Sequence, residues 1–172
     1  LRSYKPIKSK DDKVFLEIKK KINGIVSKRR VVLTLEQANN FLEFGERPKL
    51  NDYMSNQVLN EIEYFLSRNE VNPAVAIHYK RTAFFGKEDK DFRLTFDNHI
   101  MTRRYNLNLT AEDFGENLLK EGERLMEVKI LGAMPMWLSK ILSELSIFPV
   151  GFSKYGNEYR KYYLTEGRGA VC

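Results

Sequence analysis

The sequence predicts an α+β fold: a mainly antiparallel sheet closed as a β-barrel with a charged lumen, and helices packed outside. Three observations predict it. Asn23-Gly24 joins two β-rich runs. Helix signals fall between the strand runs rather than after them. Several strands repeat one design, a row of cations with scattered carboxylates backed by an apolar row.

The elements follow in order. Residues 13–22 and 25–33 are β-rich, and Asn-Gly between alternating apolar runs is the strongest short hairpin signal. A two-residue turn there sets Ile22 opposite Ile25, Lys21 opposite Val26, Lys19 opposite Lys28 and Glu17 opposite Arg30. Alternation then puts Glu17, Lys19, Lys28 and Arg30 on one face, and Leu16 and Ile18 against Arg29 and Val31 on the other. Thr34 with Gln37 three residues later forms a capping box, so a helix of about three turns follows, with Pro48 helping to end that region. Val58, Ile62, Phe65 and Leu66 recur at helical spacing and predict a second helix.

Beyond Pro73, "PAVAIHYKRTAFF" reads as a strand, "FGKEDKDF" as a polar turn, and "FRLTFDNHIMTRRYNL" as a strand that runs on into a second strand or an extended loop. "TAEDFGENLLKEG" is a short polar segment, partly helical at most, and "RLMEVKIL" is another strand. "PMWLSKILSELS" aligns Trp137, Ile141, Leu142 and Leu145 on one face of an amphipathic helix that starts near Pro135. "FSKYGNEYRKYYLTEG" reads as a short helix or an irregular tail.

Composition bounds the function. The net charge is +6, from 29 Lys+Arg against 23 Asp+Glu, which fits a nucleic acid, an anionic lipid or a polyanionic substrate as well as a plain solvated surface. The single cysteine, Cys172, allows no internal disulfide and no Cys/His metal site, which fits a reducing, cytoplasmic compartment. No apolar run reaches the length of a membrane span. The opening "LRSYKP" reads as the end of a strand, so the single domain over residues 1–172 is expected to lack its N-terminal strand.

Charge placement is more informative than charge count. Lys19 opposite Lys28 is a like-charge cross-strand pair, unfavourable unless solvent screens it or an anion sits between the two ammonium groups. The alternation recurs with Glu127 and Lys129 against Met126, Val128 and Ile130, and with Arg93 and Asp97 against Phe92, Leu94 and Phe96; "HYKRTAF" adds Arg81. A barrel with a charged lumen explains the repetition, its apolar outer rows being covered by the helices.

Other residues read as ordinary structure. His78 is a strand residue with a conventional partner, and His99 lies in a turn. Lys20 and Arg29 point away from the lumen, solvated or paired. Arg103 and Arg104 are solvated or guide a substrate to the channel mouth. Trp137 anchors its helix in the core, and the tyrosines at 155, 159, 162 and 163 pack the tail rather than stack on nucleic acid.

The ordered motifs "FLEIKKKINGIVSKRRVVL", "YKRTAFFG", "FRLTFD", "LMEVKI" and "FPVGFSKY" resemble the polyphosphate polymerase domain of the vacuolar transporter chaperone (VTC) family, within the triphosphate tunnel metalloenzyme and CYTH-like superfamily. The resemblance spans nearly the whole chain and implies an eight-stranded antiparallel tunnel that grips a chain of phosphates beside Mn²⁺ or Mg²⁺. It implies that Lys19 and Lys28 are lumen lysines, Arg81 and Arg93 lumen arginines, Glu127 the metal-binding carboxylate and Lys154 a late phosphate-binding lysine. Arg2 matches the second arginine of an R-x-R strand. Arg30 and Lys129 join the phosphate-binding set, and Glu17 is a second metal candidate, with Asp97 weaker.

The implied reaction transfers the terminal phosphoryl group of ATP to a growing polyphosphate chain. Alternatives are hydrolysis of tripolyphosphate or a nucleoside triphosphate, and a non-catalytic module binding polyphosphate or another polyanion. Specific nucleic-acid binding and a membrane segment are not expected, and the sequence leaves the oligomeric state open.

Overall fold

The structure is a computed structural model and describes residues 1–166. Cys172, and with it the reading of the lone thiol, lies outside the described residues. The described part is α+β, with four helices and six strands in antiparallel pairings. It divides into two compact units. Unit 1 is residues 1–74 with 107–111, and unit 2 is residues 75–106 with the chain from 112 onward.

Unit 1 is a hairpin backed by two helices. Strands β1 (Lys13–Ile22) and β2 (Ile25–Thr34) pair in the register the turn dictates, Lys19 opposite Lys28 and Glu17 opposite Arg30. Asn23 and Gly24 both take positive φ, 50° and 83°, which a two-residue turn matched to strand twist requires. Arg2 bridges Phe15 through two backbone hydrogen bonds of 3.0 and 2.8 Å, which sets it beside the charged row of β1.

Helix α1 (Leu35–Phe44) begins at the expected capping box: Gln37 N–H donates to Thr34 Oγ1, and Thr34 N–H donates to Gln37 Oε1. Its end is set by Gly45 in the left-handed region, three residues before the expected Pro48. Helix α2 (Tyr53–Arg68) is capped by Asp52, whose carboxylate accepts from Ser55 N–H. Val14, Leu16, Val31 and Leu33 of the hairpin bury against Leu35, Ala38, Phe41, Val58, Leu59 and Ile62 of the helices. Leu66 packs at the edge of that core, whereas Phe65, expected on the same stripe, is exposed. Lys20 and Arg29, on the apolar side of the hairpin, both reach Glu61 of α2, at 3.0 and 2.5 Å.

Unit 2 is a sheet with two helices. Strand β4 (Arg93–Arg103) is central, paired with β3 (Ala76–Phe85), β5 (Glu116–Asn117) and β6 (Leu125–Lys129). The expected polar segment before β6 contributes the two-residue β5 and no helix. His99, expected in a turn, lies inside β4 with φ 48°, where the β3–β4 register slips. Among the described residues the pairings give two separate sheets and close no barrel.

Helix α3 (Met136–Glu144) buries Leu138 rather than the expected Trp137, Ile141 and Leu145, which are exposed. The Trp137 ring still rests edge-on against Phe92, centroids 5.8 Å apart. Helix α4 (Lys154–Glu166) settles the tail as helical, and Ser153 caps it by accepting from Gly156 N–H.

Arg103 and Arg104 hold unit 2 together rather than facing solvent. Arg103 is buried, stacked 4.3 Å from the Phe114 ring, and donates to the Asn106 and Phe114 carbonyls. Arg104 makes a two-point pair with Glu158 of α4, at 2.7 and 3.0 Å, under the Tyr162 ring. Tyr155, Tyr159, Tyr162 and Tyr163 contact one another in series, which is packing within the helix.

Candidate functional site

The charged row of unit 2 is built by register. Arg81 pairs across with Asp97, Ala83 with Thr95 and Phe85 with Arg93; on the other flank Leu125, Glu127 and Lys129 meet Asp97, Thr95 and Arg93. Paired residues share a face. One face therefore carries Arg81, Arg93, Asp97, Glu127 and Lys129, as their parity in the sequence implies. The opposite face carries Phe84, Phe96 and Met126.

Burial along β4 is inverted relative to an ordinary half-buried sheet. Thr95 and Asp97, on the polar face, are 3% and 1% exposed, while Leu94 and Phe96 are only half-buried. The apolar row lines an open groove of about 470 Å³ between Thr82, Phe84, Phe96, Met126 and Ile147. Among the described residues of unit 2, the helix cover expected over that row does not line the groove.

Asp97 is the centre of the polar face. Arg81 donates to it from Nε and Nη2, at 2.6 and 2.7 Å, and Lys154 donates from Nζ at 2.6 Å. Burial pushes the Asp97 carboxyl up, but the hydrogen bonds from Arg81 and Lys154 outweigh it and hold the group below its usual range. The same bond to Asp97 raises the Arg81 guanidinium, against burial. Lys154 lies 4.5 Å from the Tyr79 ring centroid and Arg81 5.2 Å from it, so one aromatic ring contacts both cations.

Arg93 is incompletely satisfied. It stands directly opposite Lys129, a second like-charge cross-strand pair. Its guanidinium lies over Phe85, 5.2 Å from the centroid, and its buried Nε has no hydrogen-bond acceptor. A buried donor left without an acceptor costs about 1–3 kcal/mol. An anion held there would recover that cost.

Glu127 is more open than Asp97, and its contacts are looser: 3.6 Å to Arg81 and 3.3 Å to Lys129. Its lone pairs are only partly committed, which fits a hard divalent cation completed by phosphate oxygens and water. Asp97 does not fit that role, because both its oxygens already accept short bonds from cations. Among the described residues no three His, Cys, Asp or Glu side chains gather at one point. A metal here would thus draw most of its ligands from substrate and solvent.

Unit 1 carries a charged face of its own. Glu17 is nearly buried, with Oε2 3.3 Å from Arg2 and Oε1 3.7 Å from Lys28. That Oε1 is a buried oxygen without a hydrogen-bond donor, open to a stronger partner. Arg30 lies over the Phe15 ring at 5.0 Å and reaches the Tyr4 hydroxyl at 3.3 Å. Lys19 is exposed beside Lys28, its cross-strand partner.

His78 lies in β3 with side-chain partners on both ring nitrogens. Arg103 only donates, so His78 Nε2 must accept from it, and Nδ1–H donates to Asp113 at 2.9 Å. Burial, then the Arg103 charge, keeps the imidazole below its usual pKa, against the pull of Asp113.

The structure thus gathers Arg81, Arg93, Glu127, Lys129 and Lys154 within unit 2, and Arg2, Glu17, Lys19, Lys28 and Arg30 within unit 1. Asp97 is the residue that sequence reasoning undervalued. The signal was present: Arg81 and Asp97 flank the polar turn symmetrically enough to pair, but Lys154 is 57 positions away and no local pattern joins it to them.

An α+β chain whose antiparallel sheets carry rows of arginine and lysine beside buried or nearly buried carboxylates is of the class suited to holding a polyanion. The VTC domain family matches residues 1–163, and the chain belongs to that family, which is associated with polyphosphate. No curated protein matches it.

Proposed function

We propose that this chain is a polyphosphate polymerase-like domain, transferring the terminal phosphoryl group of ATP to the end of a polyphosphate chain in a basic tunnel with a divalent metal. The observation that carries the reading is the inverted sheet of unit 2, which buries Asp97 and Thr95 on the polar face and leaves Phe96 half open. Two like-charge pairs, Lys19 with Lys28 and Arg93 with Lys129, support it, since each is relieved by a bound anion.

Phosphoryl transfer asks for positioning and charge neutralisation, with little covalent work from the protein. In the proposed step a terminal oxygen of the acceptor chain attacks the γ-phosphorus of ATP. The bond from that phosphorus to the β–γ bridging oxygen breaks, and ADP leaves with the electron pair. No side-chain nucleophile is required. Arg81, Arg93 and Lys154 would neutralise the equatorial oxygens, and Arg offers the planar two-point contact that phosphate favours. Lys129 would hold a flanking phosphate in unit 2, and Lys19, Lys28, Arg2 and Arg30 would bind phosphate on the charged face of unit 1. Mn²⁺ or Mg²⁺, held by Glu127 with Glu17 the second candidate, would supply charge neutralisation between phosphate groups.

Incubation with ATP and Mn²⁺ tests the proposal. Phosphate polymer is expected, and its loss on Arg81→Ala. Free phosphate without polymer would assign hydrolysis instead. Metal-indifferent binding of tripolyphosphate, unchanged by Glu127→Ala and without turnover, would assign a non-catalytic binding module.

A further inference from the structure

We propose that Asp97 is a positioning residue of the phosphate site in unit 2: a built-in counter-ion that aims Arg81 and Lys154 before substrate arrives and cedes Lys154 to phosphate when it binds. The inference rests on the phosphate-binding reading above, and goes beyond it by assigning a role to the buried acid that holds Arg81 and Lys154.

A guanidinium has two forked edges. Asp97 occupies the Nε–Nη2 edge of Arg81. The other edge, Nη1–Nη2, faces only the looser Glu127 contact at 3.6 Å. The occupied edge fixes the plane of the fork, so the remaining edge is presented at a set angle. Lys154 comes from the first turn of α4, and one of its three N–H groups is committed to Asp97. Its side chain and that of Arg81 remain 20% and 26% exposed, while Asp97 is 1% exposed. The carboxylate is therefore shielded beneath its cations, and the cations keep donors free above it.

Charge decides what moves. Asp97 with Arg81 and Lys154 sums to +1, so the cluster attracts phosphate while limiting self-repulsion without it. A polyphosphate brings several negative charges to Lys154, against one from Asp97. Arg81 serves both partners at once through separate edges; Lys154 has a single nitrogen and its contacts redistribute. Asp97→Asn removes one negative charge a few ångströms from the bound phosphate while keeping the shape of the side chain. Ground-state binding of a polyanion should then tighten, and turnover should fall because the fork is no longer aimed.

Tripolyphosphate affinity by calorimetry and polymer formation from ATP, measured on the same preparations of the whole chain, test this. The expected result for Asp97→Asn is affinity roughly tenfold tighter at low salt, shrinking as salt screens the lost charge, with kcat down about tenfold or more. Arg81→Ala should weaken tripolyphosphate binding; if it does not, the phosphate-site reading itself fails. If Arg81→Ala weakens binding and Asp97→Asn leaves both affinity and kcat unchanged, or weakens both in parallel, Asp97 is a structural ion pair and the inference is overturned. Should Asp97→Asn not fold, the Arg81 Nε–H resonance of the unaltered protein decides. It should keep its Asp97-bonded shift when tripolyphosphate is added while the Lys154 ammonium resonance moves. Loss of the bonded Nε–H shift, or no change at Lys154, would overturn the inference.

Discussion

Glu158→Gln should loosen α4 without unfolding unit 2. Glu158 is nearly buried and holds Arg104, just past the end of β4, through two contacts, 2.7 and 3.0 Å, beneath Tyr162. Hydrogen bonds to charged groups are worth about 1.5–3 kcal/mol, and breaking a fully buried pair costs about 3–5 kcal/mol. The Arg104 guanidinium is about a quarter exposed, so it rehydrates, and glutamine keeps one acceptor. A loss of about 1–2 kcal/mol remains, close to a tenfold rise in the open population of the helix. Amide hydrogen exchange is the assay: α4 should exchange about tenfold faster, with the β3–β4 amides unaffected. Although α4 carries Lys154, tripolyphosphate affinity should stay nearly unchanged while the open form remains a small minority. Unchanged exchange in α4, or equal loosening of α4 and the sheet, would refute the assignment of Glu158 as the local anchor.

Three other perturbations follow from the same structure. Lys19→Ala removes a like-charge cross-strand pair, so hairpin stability at low salt should rise by a few tenths of a kcal/mol while tripolyphosphate affinity falls, read by denaturation and calorimetry. The stability of unit 2 should fall as pH drops below about 6.5, because His78 is held neutral in the fold and the unfolded chain takes up the proton first; the slope of stability against pH between 7.5 and 5.5 should flatten in His78→Gln. Leu59→Ala, at the fully buried centre of unit 1, should cost about 3 kcal/mol in urea denaturation.

The parts of the fold legible in the sequence are those fixed by local chemistry. Asn23-Gly24 forces both positive φ values and hence every pair in the hairpin, and Thr34 with Gln37 fixes the start of α1. Row parity along β4 and β6 was legible for the same reason, since alternation has no freedom once a strand is paired. The rest depends on partners distant in the chain. Nothing near Arg104 announces Glu158, 54 residues on, and nothing near Asp97 announces Lys154. Trp137 illustrates the limit of periodicity: its spacing is that of a core face, but α3 turns Leu138 inward and leaves Trp137 a ring contact with Phe92. The apolar row containing Phe84 and Phe96 was expected to be covered, and strand alternation alone gives no information about which face a helix reaches.

The central claim is that the rows of cations on these sheets serve to hold phosphate. A crystal structure of the protein with tripolyphosphate tests it most directly. Phosphate oxygens should lie within hydrogen-bond distance of Arg81 Nη1, Arg93 Nε and Lys154 Nζ, with Asp97 still bonded to the Nε edge of Arg81. Tripolyphosphate bound elsewhere, with Arg93 Nε still lacking an acceptor, would contradict the account.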